Sequence, residues 1–399
     1  MHPITRGISE LDVRGKRILV REDLNVPLAD GAVSDDTRIV AAVPTLRNLS
    51  ERGAKVIVMS HLGRPDGKVV EGLRMAPVAK ALAQALQCEV KTAPDCVGPA
   101  AQAAVDSLAD GDVLLLENLR FHPEEEANDD GFARQLASLG DAYVNDAFGT
   151  AHRAHASTVG VTQYLPSYMG PLLERELDVL DEILLRPKRP FVAVLGGAKI
   201  SDKIGVVTRL LELCDAIVIG GGMANTLLAA EGFDVGKSLR DADLAPAKQI
   251  VDQIDHKATK VEVLLPEDAV VVRELTPDAP SRFADVDEIE ADEMIVDIGP
   301  TTAENYRLVI LEAKTVLWNG PMGVFEMDAF AAGTEAVGQA IADSGALSVV
   351  GGGDTAAAAH KLGFADKMTH ISTGGGATLE YIEGKELPGV AALRDRARA

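Results

Sequence analysis

Short, continuous apolar runs alternate with helical patterns along most of this 399-residue chain. Runs such as RILV at 17–20, KVIVMS at 55–60 and FVAVLGG at 191–197 are apolar throughout, which is typical of parallel strands covered on both faces. Helical stretches such as 75–87 and 330–345 lie between the runs. Strands separated by helices form right-handed βαβ units and doubly wound sheets, whose ligands bind beyond the carboxyl ends of the strands.

Seven further runs of this kind are predicted as strands of such sheets. They are VLLLEN (113–118), AYVND (142–146), AIVIGGG (216–222), VEVLLP (261–266), MIVDIG (294–299), VLWNG (316–320) and LSVVGGG (347–353). The fold class predicted from the alternation is α/β, with parallel strands throughout.

The length of the chain predicts two domains. Prolines bracket a segment with leucines at helical spacing, and we interpret 171–187 as a long helix that joins two lobes. The lobes are then 1–170 and 188–384. The alternative is a surface helix inside one large domain.

Composition excludes several classes of partner. The net charge of −22 argues against nucleic acid and against an anionic membrane surface. No apolar run is long enough to span a membrane, and the first residues lack the apolar region of a signal peptide. The cysteines Cys88, Cys96 and Cys214 are scattered without metal-binding spacing, which fits a reducing compartment. We therefore expect a cytoplasmic protein.

The segment VVGGGDTAAAA at 349–359 predicts a nucleotide-phosphate site without the GxxxxGK[ST] sequence. Glycines let the backbone approach a phosphate, and a helix start directs free N–H groups at it. Asp354 can hold a magnesium ion, and Thr355 can donate to a phosphate oxygen. The alternative is a tight strand-to-helix turn capped by Asp354.

Three other glycine-containing turns in the second half fit the same interpretation. GGAKISDK places Lys199 and Lys203 one helical turn apart, where they can meet phosphates or can simply be a surface pair. WNGPMGVFE places Asn319 and Glu326 around a Gly-Pro turn, and Glu326 can accept from ribose hydroxyls. STGGGA at 372–377 opens another helix behind glycines and is a further candidate anion site.

Arginine and histidine follow several strands of the first half. Because its planar fork donates two parallel hydrogen bonds, arginine suits a phosphate or carboxylate, although any single arginine is as easily a surface residue. Asp23 and Asn25 can bind hydroxyls or can form only an Asx turn, and His61 can be a ligand, a cap or a core residue. The motifs are RxDxNVP with Arg21, Asp23 and Asn25, SDDTR with Arg38, SHLGRP with His61 and Arg64, ENLRF with Arg120, and AHRAHAST with Arg153.

Eight motifs occur in an order that resembles phosphoglycerate kinase over residues 17–377: RxDxNVP, SHLGRP, ENLRF, HRAHAST, GGAKxxDK, WNGPMGVFE, GGGDT and STGGGA. The resemblance implies two Rossmann-like lobes joined by a helix, with residues from about 385 to 399 returning to the first lobe. It implies reversible transfer of the acyl phosphate of 1,3-bisphosphoglycerate to ADP, giving 3-phosphoglycerate and ATP. It also implies a glycolytic and gluconeogenic role, Mg²⁺ bound with the nucleotide, and a monomer.

The resemblance also assigns roles residue by residue. Leu24 stands where many members of the family it resembles carry Phe, a position expected to pack. The phosphoglycerate site is assigned to Asp23, Leu24, Asn25, Arg38, His61, Leu62, Gly63, Arg64, Arg120 and Arg153. The nucleotide and its magnesium are assigned to Lys199, Lys203, Asn319, Glu326, Gly352, Gly353, Asp354 and Thr355, with Asp354 as the metal ligand. The transferring phosphoryl group is assigned to Arg38, Lys203, Gly374, Gly375 and Gly376.

The group that accepts phosphoryl in this reaction is a carboxylate, which is already ionised at neutral pH. No general base is needed, so positioning and charge neutralisation suffice, and the lobes are expected to close before in-line transfer. Two alternatives are a two-lobed anion-binding protein without chemistry and another sugar-phosphate enzyme such as an isomerase, which needs a general base. Binding of MgADP together with phosphoglycerate distinguishes the three.

Overall fold

The computed structural model describes residues 6–255 and 260–397, which form two compact units. Unit 1 contains the described residues up to Leu177 and those from Glu386 onward, and unit 2 contains those from Asp178 to Lys385. The division falls within the helix Pro171–Leu185.

Unit 1 is built on a parallel sheet of six strands, in the order β5-β6-β4-β1-β7-β8. A small antiparallel hairpin, β2 and β3, follows the first strand. The strands are β1 (Arg17–Arg21), β2 (Leu28–Ala29), β3 (Ala32–Val33), β4 (Lys55–Met59), β5 (Val90–Thr92), β6 (Val113–Leu115), β7 (Ala142–Asn145) and β8 (Ser167–Met169).

Helices cover the sheet of unit 1 and bury their apolar faces against it. In the second helix, for example, Val78 and Leu82 lie one turn apart and are fully buried. The helices are α1 (Thr37–Glu51), α2 (Ala76–Leu86), α3 (Gly98–Asp106), α4 (Pro123–Glu126) and α5 (Asp130–Ser138), and they are followed by α6 (Pro171–Leu185), within which the two units divide. Short 3₁₀ turns lie at Ile8–Glu10, Glu71–Leu73, Leu119–Phe121, Phe148–Thr150 and Gly160–Gln163.

A buried carboxylate fixes the start of α6. Asp146 Oδ1 accepts from the backbone N–H groups of Leu172 and Leu173 at 2.8 and 3.0 Å, and Thr45 donates to its other oxygen. Burial raises the pKa of Asp146 to about 6, although these hydrogen bonds lower it. The backbone at Gly170 passes so close to this carboxylate that a Cβ there would lie 2.2 Å from Oδ1.

Unit 2 contains a second six-stranded parallel sheet, in the order β11-β10-β9-β15-β16-β17, and a separate three-stranded antiparallel sheet, β13-β12-β14. The strands are β9 (Phe191–Leu195), β10 (Ala216–Ile219), β11 (Glu262–Leu264), β12 (Asp268–Val272), β13 (Ser281–Asp285), β14 (Met294–Ile298), β15 (Thr315–Asn319), β16 (Leu347–Val350) and β17 (His370–Ile371). The predicted α/β class with two parallel-sheet lobes is confirmed.

The run MIVDIG differs from its prediction as a parallel strand. It forms β14, which pairs antiparallel with β12. A run that is buried on both faces looks the same in either kind of sheet, because the direction of its partner is not encoded in its own residues.

Along the chain, the helices of unit 2 alternate with its parallel strands or stand next to the strands of the small antiparallel sheet. They are α7 (Ile204–Leu213), α8 (Gly221–Glu231), α9 (Ala245–Asp255), α10 (Pro300–Glu312), α11 (Ala332–Ser344), α12 (Gly353–Lys361) and α13 (Gly376–Ile382), with 3₁₀ turns at Ser201–Lys203, Asp328–Phe330 and Ala365–Lys367.

The last helix, α14 (Pro388–Ala397), belongs to unit 1. The backbone N–H of Gly389 donates to Ala151 O at 2.9 Å, and the side chains of Val390 and Leu393 are buried. Across the described residues, we find no helix with both the length and the apolar character needed to cross a membrane.

One buried carboxyl in unit 1 is not hydrogen-bonded. Glu22 follows β1 and is completely buried, and neither of its carboxyl oxygens has a hydrogen-bond partner in the described part of the chain. Burial raises the pKa of Glu22 well above its ordinary value, and the nearby Asp146 raises it further. Such a group destabilises the fold, because the unfolded chain solvates it fully.

We expect Glu22→Leu to stabilise the protein, increasingly so as the pH rises. The folded-state pKa lies above the unfolded one, so the unfolded chain loses its proton first. The penalty therefore grows above the unfolded pKa by up to about 1.4 kcal/mol per pH unit. Urea unfolding at pH 5 and at pH 7.5 measures this difference. Glu22→Gln is the matched control, since it removes the ionisation but keeps a polar group. An equal gain from Glu22→Leu at both pH values would contradict the expectation.

Candidate active site

The polar residues singled out in the sequence lie beyond the carboxyl ends of the parallel strands, with Arg38 added from the first turn of α1. In unit 1, Asp23 and Asn25 follow β1, His61 follows β4, Arg120 follows β6 and Arg153 follows β7. Since parallel strands end at the same edge of a sheet, these groups share one side of unit 1.

Arg38 reaches back from α1 to the loop after β1. Its Nη1 donates to Asn25 O at 2.9 Å and to Asp23 Oδ1 at 3.2 Å. The N–H of Asn25 also donates to Asp23 Oδ1 at 3.3 Å, so the Asx turn forms together with the ion pair rather than instead of it. The side chain of Arg38 remains 30% exposed and can contact a ligand.

Gly63 joins this loop to Arg120. The N–H of Gly63 donates to Asn25 Oδ1 at 2.8 Å, and its carbonyl accepts from Arg120 Nη1 at 3.0 Å. Gly63 adopts a φ of +64°, and a Cβ there would lie 2.8 Å from Leu73 Cδ2, so the position requires glycine. Arg38, Asn25, Gly63 and Arg120 thus form one hydrogen-bonded series.

His61 lies in this group as a neutral imidazole. Its side chain is buried, and its Nδ1 accepts from Arg21 Nη2 at 3.2 Å, because arginine can only donate. The pKa of His61 is lowered well below its ordinary value, first by burial and then by Arg21, Arg120 and Arg38. Since Nδ1 accepts, the single ring proton lies on Nε2, which is left to donate.

A second buried histidine experiences the same positive field. Burial lowers the pKa of His155 to about 3, with further lowering by Arg21, Arg120 and Arg153. We call Arg21, Arg38, Arg120 and Arg153 the cationic cluster. A group that disfavours protonation of two histidines favours an anion for the same reason.

Three of the assigned residues have a different environment. Arg64 is exposed, and its guanidinium makes no hydrogen bond or ion pair within residues 6–255 and 260–397. Leu24 and Leu62 have buried side chains in the apolar core of unit 1, so only their backbone can face a ligand.

A buried network behind the cationic cluster was not among the assigned residues. Arg21 Nε donates to Ser157 Oγ at 2.8 Å, and the Ser157 hydroxyl donates to Glu125 Oε1 at 2.5 Å. The Ser157 N–H also donates to Glu125 Oε2 at 3.0 Å. Arg21 was visible in the RxDxNVP motif, but Glu125 carries no local signal, since it stands in a run of glutamates that looks like a solvated surface.

In unit 2, Lys203 connects two of the predicted glycine turns. Its Nζ donates to Gly196 O at 2.9 Å, after β9, and to Asn319 O at 3.3 Å, at the end of β15. Burial lowers the pKa of Lys203 to about 8, whereas Asp354 and Asp202 raise it. Gly196 and Gly320 are in close contact, and a Cβ on Gly320 would lie 2.2 Å from the carbonyl carbon of Gly196.

Asn319 and Thr355 hold the turns after β15 and β16 together. Asn319 Nδ2 donates to Gly351 O at 2.8 Å, and Thr355 Oγ1 accepts from the N–H of Gly320 at 2.7 Å. Asn319 Oδ1 is buried and has no hydrogen-bond partner among the described residues, so it is an acceptor that a ligand can satisfy. The hydroxyl proton of Thr355 is likewise left to donate.

The remaining assigned residues of unit 2 are exposed or half-buried, except Gly374, which is buried. Lys199, Glu326, Gly353, Asp354 and Gly376 are exposed. Gly352 and Gly375 adopt φ values of +91° and +52° and precede α12 and α13. The side chain of Asp354 therefore lies at the start of α12, open to an incoming ion.

Residues 8–385 match the family model described as phosphoglycerate kinase. The chain belongs to the phosphoglycerate kinase family. The phosphoglycerate kinase of Pelotomaculum thermopropionicum is 54% identical over 392 residues, covering 98% of this chain and 99% of the relative. That of Moorella thermoacetica is 55% identical over 390 residues, with the same coverage. The resemblance found from the eight motifs is confirmed.

Solved structures of phosphoglycerate kinases agree with this assignment. That of Coxiella burnetii has a TM-score of 0.87 at 41% identity and covers 99% of this chain and 100% of that one. That of Pyrococcus horikoshii has a TM-score of 0.87 at 36% identity, with coverage of 98% and 99%. The predicted glycolytic kinase activity is confirmed by the family, and the anion-binding and isomerase alternatives are not favoured.

Proposed function

We propose that this phosphoglycerate kinase binds the phosphoglycerate through the cationic cluster of unit 1 and the adenine nucleotide through the turns after β9, β15 and β16 of unit 2. The observation that carries the proposal is the hydrogen-bonded series from Arg38 through Asn25 and Gly63 to Arg120, beside a neutral His61. This series fixes several hydrogen-bond donors near the carboxyl ends of the parallel strands of unit 1. A small polyanion requires such a group of donors.

The reaction itself needs little from the protein beyond positioning. The oxygen of 3-phosphoglycerate that attacks the γ-phosphoryl group is a carboxylate oxygen, so no proton has to be removed from it. Arg38 and Lys203 neutralise charge on the transferring group, and Nε2–H of His61 donates to the phosphoglycerate. Gly375 and Gly376 allow a phosphate to approach the backbone closely.

The residues of unit 2 fit a nucleotide that arrives with Mg²⁺. A magnesium ion is usually held by one or two carboxylates together with substrate phosphates, and Asp354 supplies an exposed carboxylate at the start of α12. The ion, when bound, neutralises phosphate charge. Lys199, Thr355 and the unsatisfied Asn319 Oδ1 would hold the nucleotide, and Glu326 its ribose. A cytoplasmic location and a monomeric state remain predictions.

A coupled assay that follows ADP release from MgATP tests the assignment of substrates. We expect release to depend on 3-phosphoglycerate and on Mg²⁺. Calorimetry of each ligand with the free enzyme should give one site for each. ADP release that is independent of 3-phosphoglycerate, or competition between the two ligands for a single site, would contradict the proposal.

We expect the two units to close during the reaction, because the residues proposed to bind phosphoglycerate belong to unit 1 and those proposed to bind the nucleotide belong to unit 2. In-line transfer requires the donor and acceptor oxygens to come within a few ångströms of each other. We expect small-angle scattering to show a smaller radius of gyration with 3-phosphoglycerate and a non-hydrolysable MgATP analogue together than with either alone. An unchanged radius with both sites saturated would contradict closure.

A further inference from the structure

A cysteine, a histidine and an aspartate meet in unit 1 outside the assigned active-site residues. Asp95 and Cys96 follow β5, and His122 comes shortly after β6, the neighbouring strand. One potential ligand atom from each of the three lies within 4.8 Å of the other two. The sequence did not indicate this group, because the histidine is 26 residues from the cysteine and no short metal-binding motif contains both.

Hydrogen bonds and a ring contact fix the positions of these three residues. Cys96 is fully buried, and its backbone N–H donates to Asp95 Oδ1 at 2.7 Å. The same oxygen lies 2.7 Å from His122 Nε2. The His122 ring packs against Phe132 with centroids 5.2 Å apart. The side chains of His122 and Asp95 are 28% and 45% exposed, so two of the three candidate ligands are partly in contact with solvent.

We propose that Asp95, Cys96 and His122 bind one Zn²⁺ ion, with water as the fourth ligand. Thiolate, imidazole and carboxylate are the side chains that zinc takes, and three protein ligands with one open position is a recurrent arrangement. In a tetrahedral site with bonds of about 2.0 Å, the nitrogen and oxygen ligands are about 3.3 Å apart. The contact between His122 and Asp95 must therefore lengthen by roughly 0.6 Å, which a partly exposed pair can accommodate.

Binding has a simple chemical balance. The metal replaces the thiol proton of Cys96, and that proton passes to solvent. The proton between His122 Nε2 and Asp95 Oδ1 moves through solvent to His122 Nδ1, so that Nε2 can bind the metal as a neutral imidazole. No oxidant or reductant is required. Ions that prefer oxygen ligands, such as Mg²⁺, are excluded by the sulfur and the imidazole. The proposed site thus differs in ligand chemistry from the magnesium–nucleotide site proposed for unit 2.

Cobalt is a suitable probe, because Co²⁺ takes zinc sites and reports its ligands optically. We expect the untagged, reduced enzyme without nucleotide to bind one Co²⁺ per chain. A thiolate-to-cobalt charge-transfer band and the strong visible bands of a tetrahedral ion should appear, and Zn²⁺ but not Mg²⁺ should abolish them. Cys96→Ser should remove the charge-transfer band, and His122→Gln or Asp95→Asn should weaken binding at least about tenfold.

Cys88→Ser and Cys214→Ser are the matched controls, since both residues lie outside the group, and both variants should keep the cobalt spectrum. If Cys96→Ser does not fold, the partly exposed His122→Gln and Asp95→Asn variants still decide the matter. Absence of the charge-transfer band from the wild-type enzyme, its persistence in Cys96→Ser, or unaltered affinity in both His122→Gln and Asp95→Asn would overturn the proposal.

Discussion

Replacing Arg38 with alanine is expected to reduce turnover by at least about 150-fold while the fold survives. Arg38 contributes a partly exposed guanidinium from α1 and is the member of the cationic cluster assigned to the transferring group. The loss of a charge-assisted contact made mainly in the transition state costs on the order of 3 kcal/mol. Steady-state assays of the purified variant measure the effect, with circular dichroism to establish folding.

Two further variants separate this role from a structural one. Arg47→Ala removes an exposed arginine from the same helix and should leave turnover unchanged. Arg38→Lys keeps the charge but loses the planar fork, so it should recover only part of the activity. Wild-type turnover in folded Arg38→Ala would refute the assignment, as would an equal loss in Arg47→Ala.

Asp354→Asn is expected to weaken binding of MgADP by about tenfold or more and to leave binding of 3-phosphoglycerate unchanged. The substitution removes a hard, charged oxygen from the proposed metal position while it keeps the shape of the side chain. Calorimetric titration with each ligand separately measures the difference. With Mg²⁺ chelated, the variant and the wild-type enzyme should bind ADP alike.

Asp366→Asn is the matched control, since Asp366 is also exposed and lies in the 3₁₀ turn that follows α12 rather than at its start. Its affinity for MgADP should equal that of the wild-type enzyme. Equal losses for both ligands in Asp354→Asn would mean that Asp354 has a structural role. A loss that persists without Mg²⁺ would show that Asp354 acts on the nucleotide and not through the ion.

Much of the candidate site was predictable, because most of its members follow strands that were themselves predictable. Arg38, Asn25, Gly63 and Arg120 stand in motifs next to apolar runs, and the structure joins them by direct hydrogen bonds. The contrast between Lys203, which is held by two carbonyls, and Lys199, which is exposed, was not predictable. Their sequence context is the same turn, and only the neighbouring strand ends distinguish them.

The sequence by itself determined the alternation of strands and helices, the order of the motifs and hence the family, because these depend on residues that are close along the chain. Only the tertiary structure decided that MIVDIG joins an antiparallel sheet. It alone places Glu125 behind Arg21 through Ser157, and His122 beside Cys96. Those results depend on which strand ends become neighbours, and the pairing of strands is a property of the folded sheet that no single segment encodes.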